Sequence, residues 1–84
     1  MITILYFARL REALGTAREE LALPASVSDI AGLRAALVGR GGAWAETLGQ
    51  ARRIRTAVNQ QMAGDEAAVR DGDEVAFFPP VTGG

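Results

Sequence analysis

A single amphipathic segment stands between stretches that alternate like strands, and this arrangement limits the possible folds more than any other feature. Ile30, Leu33 and Leu37 recur there at helical intervals. Ser26 and Asp29 precede them with the spacing of a capping box, and Gly39 follows as a stop signal. We therefore predict one main helix over residues 27–39.

Short stretches rich in strand-forming residues lie on both sides of this helix. In the first, alternation puts Ile2, Ile4 and Tyr6 on one face and Leu5 and Phe7 on the other. Two shorter helical segments are also expected, over residues 8–14 and 43–48. The predicted strands cover residues 2–7, 17–23, 54–59, 62–63 and 74–78.

The order of these elements predicts an α+β fold. With 84 residues the chain forms one domain, and one long helix covers one face of a small sheet. The first and last strands are the most apolar, so we expect them at the centre, where a crossover permits a parallel pair. The result is a β-grasp fold, a mixed sheet of four to five strands over one main helix. We expect the domain to span residues 1–78, and residues 79–84 to form a flexible tail.

The residue types that are missing restrict the chemistry of side chains. The chain has no cysteine, no histidine and no lysine, so thiol, imidazole and amine catalysis are absent, as are the commonest metal ligands. We expect no bound metal. The net charge of -1 does not suit a nucleic-acid binder, and no apolar run approaches the roughly 20 residues of a membrane span. No signal peptide precedes the first strand, which predicts a cytoplasmic protein.

The C-terminal stretch EVAFFPPVTGG offers reactivity of another kind. Two prolines stiffen the base of the tail, and Gly83 and Gly84 lack the Cβ that would hinder passage through a narrow channel. Residues 79–84 would reach about 20 Å at ~3.3 Å per residue when fully extended. A carboxylate at Gly84 could therefore react inside a partner, although a flexible end without function has the same appearance.

Three stretches carry a resemblance to a known family. The ending DGDEVAFFPPVTGG, the segment AVNQ and the opening strand followed by FARLREALG resemble the small, sulfur-carrier subunits of molybdopterin synthase. These are ubiquitin-like proteins. The resemblance covers nearly the whole chain except residues 39–53, and it implies a role in molybdenum cofactor biosynthesis.

The resemblance implies a reaction cycle at the C-terminus. An ATP-dependent enzyme adenylates the carboxylate of Gly84, and sulfur transfer converts the acyl-adenylate into a thiocarboxylate. The chain then docks on the large subunit, in a heterotetramer, and gives its sulfur to a cyclic pyranopterin precursor. It binds no cofactor of its own, and it acts as the non-catalytic sulfur-donor subunit of a sulfurtransferase.

The resemblance also implies a partner-binding surface beside the tail. Strand alternation already places Phe7 and Phe78 on the face opposite the core, with Met62 nearby, where they could bind a partner or form a second small core under a loop. Hydrophobic residues at these positions face both partners in the family, and Arg11 is expected to add a polar contact. The tail residues complete the expected surface: Pro79, Pro80, Val81 and Thr82.

Two other functions fit the same residues. One is a sulfur carrier for another pathway, such as thiamine, thiolated tRNA or cysteine synthesis. The other is a ubiquitin-like docking module whose tail is inert.

Overall fold

A computed structural model describes residues 1–49 and 54–80 of the protein. Gln50 to Arg53 and Val81 to Gly84 lie outside the described residues, and so does the end of the predicted tail. The described part forms five strands and three helices. In chain order they are β1 (Ile2–Tyr6), α1 (Arg9–Leu14), β2 (Arg18–Leu21), α2 (Ile30–Val38), α3 (Gly42–Leu48), β3 (Arg55–Val58), β4 (Gln61–Ala63) and β5 (Glu74–Phe78).

The strands form one mixed sheet in the order β2-β1-β5-β3-β4. The two most apolar strands pair in parallel at its centre, with Ile4 opposite Val75 and Tyr6 opposite Phe77. All other neighbouring pairs are antiparallel. The predicted α+β fold, a five-stranded mixed sheet with one main helix, is confirmed.

The core lies between one face of the sheet and the three helices, and we call this the inner face. Every second residue of β1 and β5 is buried there, as alternation predicts. The helices contribute Leu10, Ile30, Leu33, Leu37 and Leu48, all at most 3% exposed. The opposite side, the outer face, carries the intervening residues of each strand.

The predicted capping box at Ser26 and the start of the main helix at residue 27 are wrong. Asp29 is itself the N-cap: its backbone is extended, and its side chain accepts a 2.8 Å hydrogen bond from the Gly32 N–H. The N–H of Val69 donates to the Ser28 carbonyl at 3.0 Å, and Asp29 forms an isolated β-bridge with Ala68. These contacts hold residues 28 and 29 extended against a neighbouring loop, so the helix begins only at Ile30.

Several predicted boundaries move by a few residues. The first strand ends at Tyr6, one residue early, because Ala8 adopts a positive φ of 54° and turns the chain into α1. Gly15 ends α1 in the left-handed conformation that glycine tolerates best, as predicted. The strand predicted over residues 17–23 is shorter: it spans residues 18–21, and before it only the Ala17 carbonyl accepts a hydrogen bond from β1, from the Tyr6 N–H at 2.9 Å.

Candidate functional site

The end of β5 leads directly towards the C-terminal tail, and the sheet sets what surrounds it. Because β1 and β5 are parallel, the ends of both strands meet at one edge of the sheet, which we call the tail end. The Phe7 N–H donates to the Phe77 carbonyl at 3.1 Å and extends this pairing by one residue. Phe78 lies opposite Arg55 across the antiparallel pair of β5 and β3.

Strand registers place the three predicted docking residues on the outer face. Phe78 follows the inward-facing Phe77, and Phe7 follows the inward-facing Tyr6. Met62 lies opposite Ala57, which lies opposite the outward-facing Ala76. Met62 therefore shares the outer face with Phe7 and Phe78.

Exposure separates these side chains from the core. Phe7 is 47% exposed and Met62 is 64% exposed, whereas Phe77 is fully buried. Phe78 is partly buried. Large apolar side chains that stay in water near one another are typical of protein-binding surfaces. We call Phe7, Met62 and Phe78 the apolar patch.

The apolar patch extends across the centre of the outer face through smaller residues. Leu5 lies opposite Ala76, and Ala76 lies opposite Ala57. Ala57 and Ala76 have short side chains, and Ala57 is only 8% exposed. Sequence reasoning identified the large residues but missed the alanines, which only the strand register connects.

Arg11 is exposed on α1, the helix that follows Phe7. Its side chain forms no hydrogen bond or ion pair with any residue that the structure describes, so it is available to a partner. Pro79 and Pro80 follow β5 and are partly buried. The remaining predicted site residues, Val81, Thr82, Gly83 and Gly84, lie outside the described residues.

Tyr6 and Glu19, two titratable groups with shifted pKa values, lie on the inner face, away from the apolar patch. Tyr6 is 1% exposed, and burial, followed by its hydrogen bond to Glu19, raises the pKa of its hydroxyl far above the usual range. Arg40 lowers the pKa of Glu19 by hydrogen bonding, against the opposing effect of partial burial. This group is a structural cluster. Within residues 1–49 and 54–80, no set of three acidic, histidine or cysteine side chains is placed to hold a metal.

Comparison with known proteins places the chain in a family. Residues 4–84 match the ThiS family. The chain belongs to the ThiS family. It is 42% identical to the molybdopterin synthase sulfur carrier subunit of Escherichia coli (strain K12) over 84 residues, all of both chains.

Two solved structures of similar chains agree with this fold. One is a putative molybdopterin converting factor, subunit 1, from Pyrococcus furiosus, with a TM-score of 0.76 at 27% identity, covering 95% of this ThiS-family chain and 97% of the other. The other is the small archaeal modifier protein 1 of Haloferax volcanii, with a TM-score of 0.72 at 26% identity, covering 95% and 97%. No helix among the described residues has the length and apolar character to cross a membrane.

Proposed function

We propose that this protein is the sulfur carrier subunit of a molybdopterin synthase. The observation that carries the proposal is its 42% identity to the Escherichia coli sulfur carrier subunit over the full length of both chains. The absence of cysteine, histidine and lysine supports it, because a carrier that reacts at its own C-terminus needs none of them.

The proposed chemistry begins at the carboxylate of Gly84. A carboxylate is a poor electrophile, because its charge repels nucleophiles and oxide is a poor leaving group. An adenylating enzyme transfers AMP from ATP to one carboxylate oxygen and releases pyrophosphate. A sulfide equivalent then attacks the acyl carbon and AMP leaves with that oxygen, so one sulfur replaces one oxygen.

The resulting thiocarboxylate is a soft nucleophile at neutral pH, for the same reason as a cysteine thiolate. Its sulfur bonds to a carbon of a cyclic pyranopterin phosphate precursor as a carbon–oxygen bond of that carbon breaks and the oxygen leaves with phosphate or as water. Water then cleaves the acyl–sulfur bond and restores the carboxylate. A dithiolene holds two sulfur atoms, so two charged carriers are consumed for each product. The large subunit supplies the pocket and the catalytic groups for these steps.

The apolar patch suits the docking that this cycle requires. It lies at the tail end of the sheet, so a partner that covers Phe7 and Phe78 also receives the chain that leaves β5. Met62 has a flexible, unbranched side chain that adapts to differently shaped surfaces. We propose that the large subunit and the adenylating enzyme bind this same patch in turn, and that two carriers and two large subunits form a heterotetramer in the cytoplasm.

Intact-protein mass spectrometry tests the proposed chemistry. The untagged chain is expressed with its adenylating enzyme and a sulfur source, beside a matched chain that lacks Gly84. We expect a mass increase equal to the exchange of one oxygen for sulfur in the full chain alone. An unmodified full chain, beside an adenylating enzyme shown to be active on another carrier, would contradict the proposal and favour an inert docking module.

A second variant tests whether the C-terminus itself reacts. One alanine added after Gly84 moves the carboxylate by one residue and leaves the folded domain unchanged. We expect this variant to retain the thermal stability of the wild type and to lose sulfur transfer to the precursor. The wild-type chain distinguishes the alternative pathways: a carrier for another pathway would acquire sulfur but would not transfer it to the precursor, even with the large subunit present.

A further inference from the structure

Three unpaired arginines lie near the tail end of the sheet, one on its outer face and two on α1. Arg55 is exposed and lies opposite Phe78, where cross-strand Cβ atoms are about 5 Å apart. Arg9 and Arg11 are exposed on α1, which follows Phe7 directly. Within the described part of the chain, none of these three side chains has a hydrogen bond or an ion pair. Arg55 therefore puts positive charge beside the apolar patch where the tail leaves, and on α1 two arginines outweigh the one acid, Glu12.

The opposite end of the same face is acidic. Glu74 begins β5 and lies opposite Thr3, which is opposite Glu20 of β2. Asp71 and Asp73 precede β5 in the adjoining turn, where the N-terminal ammonium pairs with Asp71 and Arg70 adds one positive charge. Between these ends, Arg18 and Glu20 neutralise each other in a 2.8 Å ion pair. Because these two ion pairs cancel, Asp73 and Glu74 against Arg70 leave one net negative charge at the far end. The outer face thus changes from positive at the tail end, through the apolar patch, to weakly negative at the far end.

We infer that this charge gradient orients docking, and that the protein partner which receives the tail is acidic around the entrance to its channel. The inference rests on the proposed function and adds the chemistry of the partner's surface. Acidic groups at that entrance would attract Arg9, Arg11 and Arg55 during approach. Docking in the reversed orientation would bring the same acidic groups against Glu74 and its neighbours, and like charges would oppose it.

Apolar contact alone does not provide this orientation. The apolar patch contains residues from β5, β4 and the end of β1, and burial of such a patch is non-directional. The tail, however, must enter a channel on one side of the contact. Charges at the border of an interface act before contact, so they set the orientation of approach and the rate of association more than the final affinity.

The test compares two variants with the same change in net charge. Arg55→Gln removes one positive charge from the tail end, and Ala36→Glu adds one negative charge on the exposed side of α2, away from the sheet. Association with the large subunit of molybdopterin synthase from the same organism is followed by stopped-flow fluorescence over a range of salt concentrations. Thermal unfolding of each variant confirms that it folds.

We expect Arg55→Gln to slow association by roughly two- to fivefold at low salt, with the difference shrinking as salt screens the charges. Ala36→Glu should differ little from the wild type. Equal rates and equal salt dependence for Arg55→Gln and the wild type would overturn the inference, and so would faster association of the variant.

Failure of the proposed function gives a different result. A wild-type chain that does not bind the large subunit at any salt concentration contradicts the carrier role, and the inference that rests on it then falls as well. If the wild type binds and transfers sulfur normally and Arg55→Gln has no effect on association, the carrier role stands. Only the inference that the charge gradient orients docking is then overturned. A double variant, Arg9→Gln with Arg55→Gln, should enlarge the effect on the rate.

Discussion

The phenolic hydroxyl of Tyr6 donates a 2.9 Å hydrogen bond to the carboxylate of Glu19, and this bond joins the central strand β1 to the edge strand β2. Both terminal nitrogens of Arg40 donate to the same carboxylate at 2.8 and 2.9 Å. The Arg40 guanidinium lies 4.4 Å from the centre of the Trp44 ring, which meets Tyr6 edge-on. One carboxylate thus connects the sheet to the region that follows α2.

Replacing Tyr6 with phenylalanine tests what this hydrogen bond contributes. The ring still stacks on Phe77, with 6.1 Å between the ring centroids, so packing is retained and only the hydroxyl is lost. Since Arg40 still binds Glu19, we expect the free energy of unfolding to fall by about 1 kcal/mol. Urea denaturation measures it, and a double-mutant cycle with Glu19→Gln isolates the pair. A coupling energy near zero would show that the bond contributes nothing to stability.

Glu19 should also make the free energy of unfolding depend on pH. Its pKa in the folded protein is lowered, chiefly by the hydrogen bonds from Arg40, so the folded state favours the ionised form. The stabilising contribution is therefore complete above the ordinary glutamate pKa of about 4.3 and is lost as pH falls through the lower folded value. We expect Glu19→Gln to be less stable than the wild type at pH 6, with a gap that narrows below pH ~4.

Thermal melts between pH 3 and pH 7 measure this gap, since two-state unfolding at each pH gives the stability of both proteins. Glu20 offers a matched control, because it lies next to Glu19 but, among the described residues, forms its one ion pair with Arg18 on the exposed outer face. Glu20→Gln should change stability little at any pH. A gap between Glu19→Gln and wild type that is constant with pH would contradict the assignment.

Alternation determined much of what the sequence could predict about this fold. The inward positions of Ile2, Ile4 and Tyr6, and the outward position of Phe7, follow from a period of two and were predicted correctly. The central, parallel placement of β1 and β5 followed from their apolar character and the crossover between them. The apolar patch could be predicted because adjacent residues of a strand face opposite sides.

Contacts between distant segments were beyond such reasoning. The capping box at Ser26 was a local pattern with the correct spacing. The loop containing Ala68, however, pairs with Ser28 and Asp29, so the helix starts only at Ile30. The cluster of Tyr6, Glu19 and Arg40 likewise depends on tertiary packing. In the site, the position of Arg55 beside Phe78 required the register of β3, which no local pattern specifies.

The corrected helix start predicts different losses of stability for two neighbouring substitutions. Asp29→Ala removes the side chain that accepts from the Gly32 N–H, and we expect a loss of about 1 kcal/mol in stability. Ser26→Ala should change stability by less than about 0.5 kcal/mol, since Ser26 is exposed and caps nothing. Chemical denaturation of both variants decides between the two N-caps. A larger loss for Ser26→Ala would restore the capping box.

Ala8 occupies a backbone conformation that favours glycine, and replacing it should stabilise the protein. Its φ of 54° and ψ of -132° match the first central position of a type II′ turn, and the Leu10 N–H donates to the Phe7 carbonyl across that turn at 3.1 Å. A residue with a Cβ is strained there by about 1–3 kcal/mol, whereas the greater freedom of an unfolded glycine costs about 0.5–1 kcal/mol.

We therefore expect Ala8→Gly to raise the free energy of unfolding by about 1 kcal/mol, or roughly 4–8 °C in Tm for a domain of this size. The same substitution at Ala36, exposed within α2, provides the control. There the backbone is helical, so Ala36→Gly should lower stability by about 1 kcal/mol. Differential scanning calorimetry measures both. A fall in Tm for Ala8→Gly that equals the fall for Ala36→Gly would mean that Ala8 carries no strain.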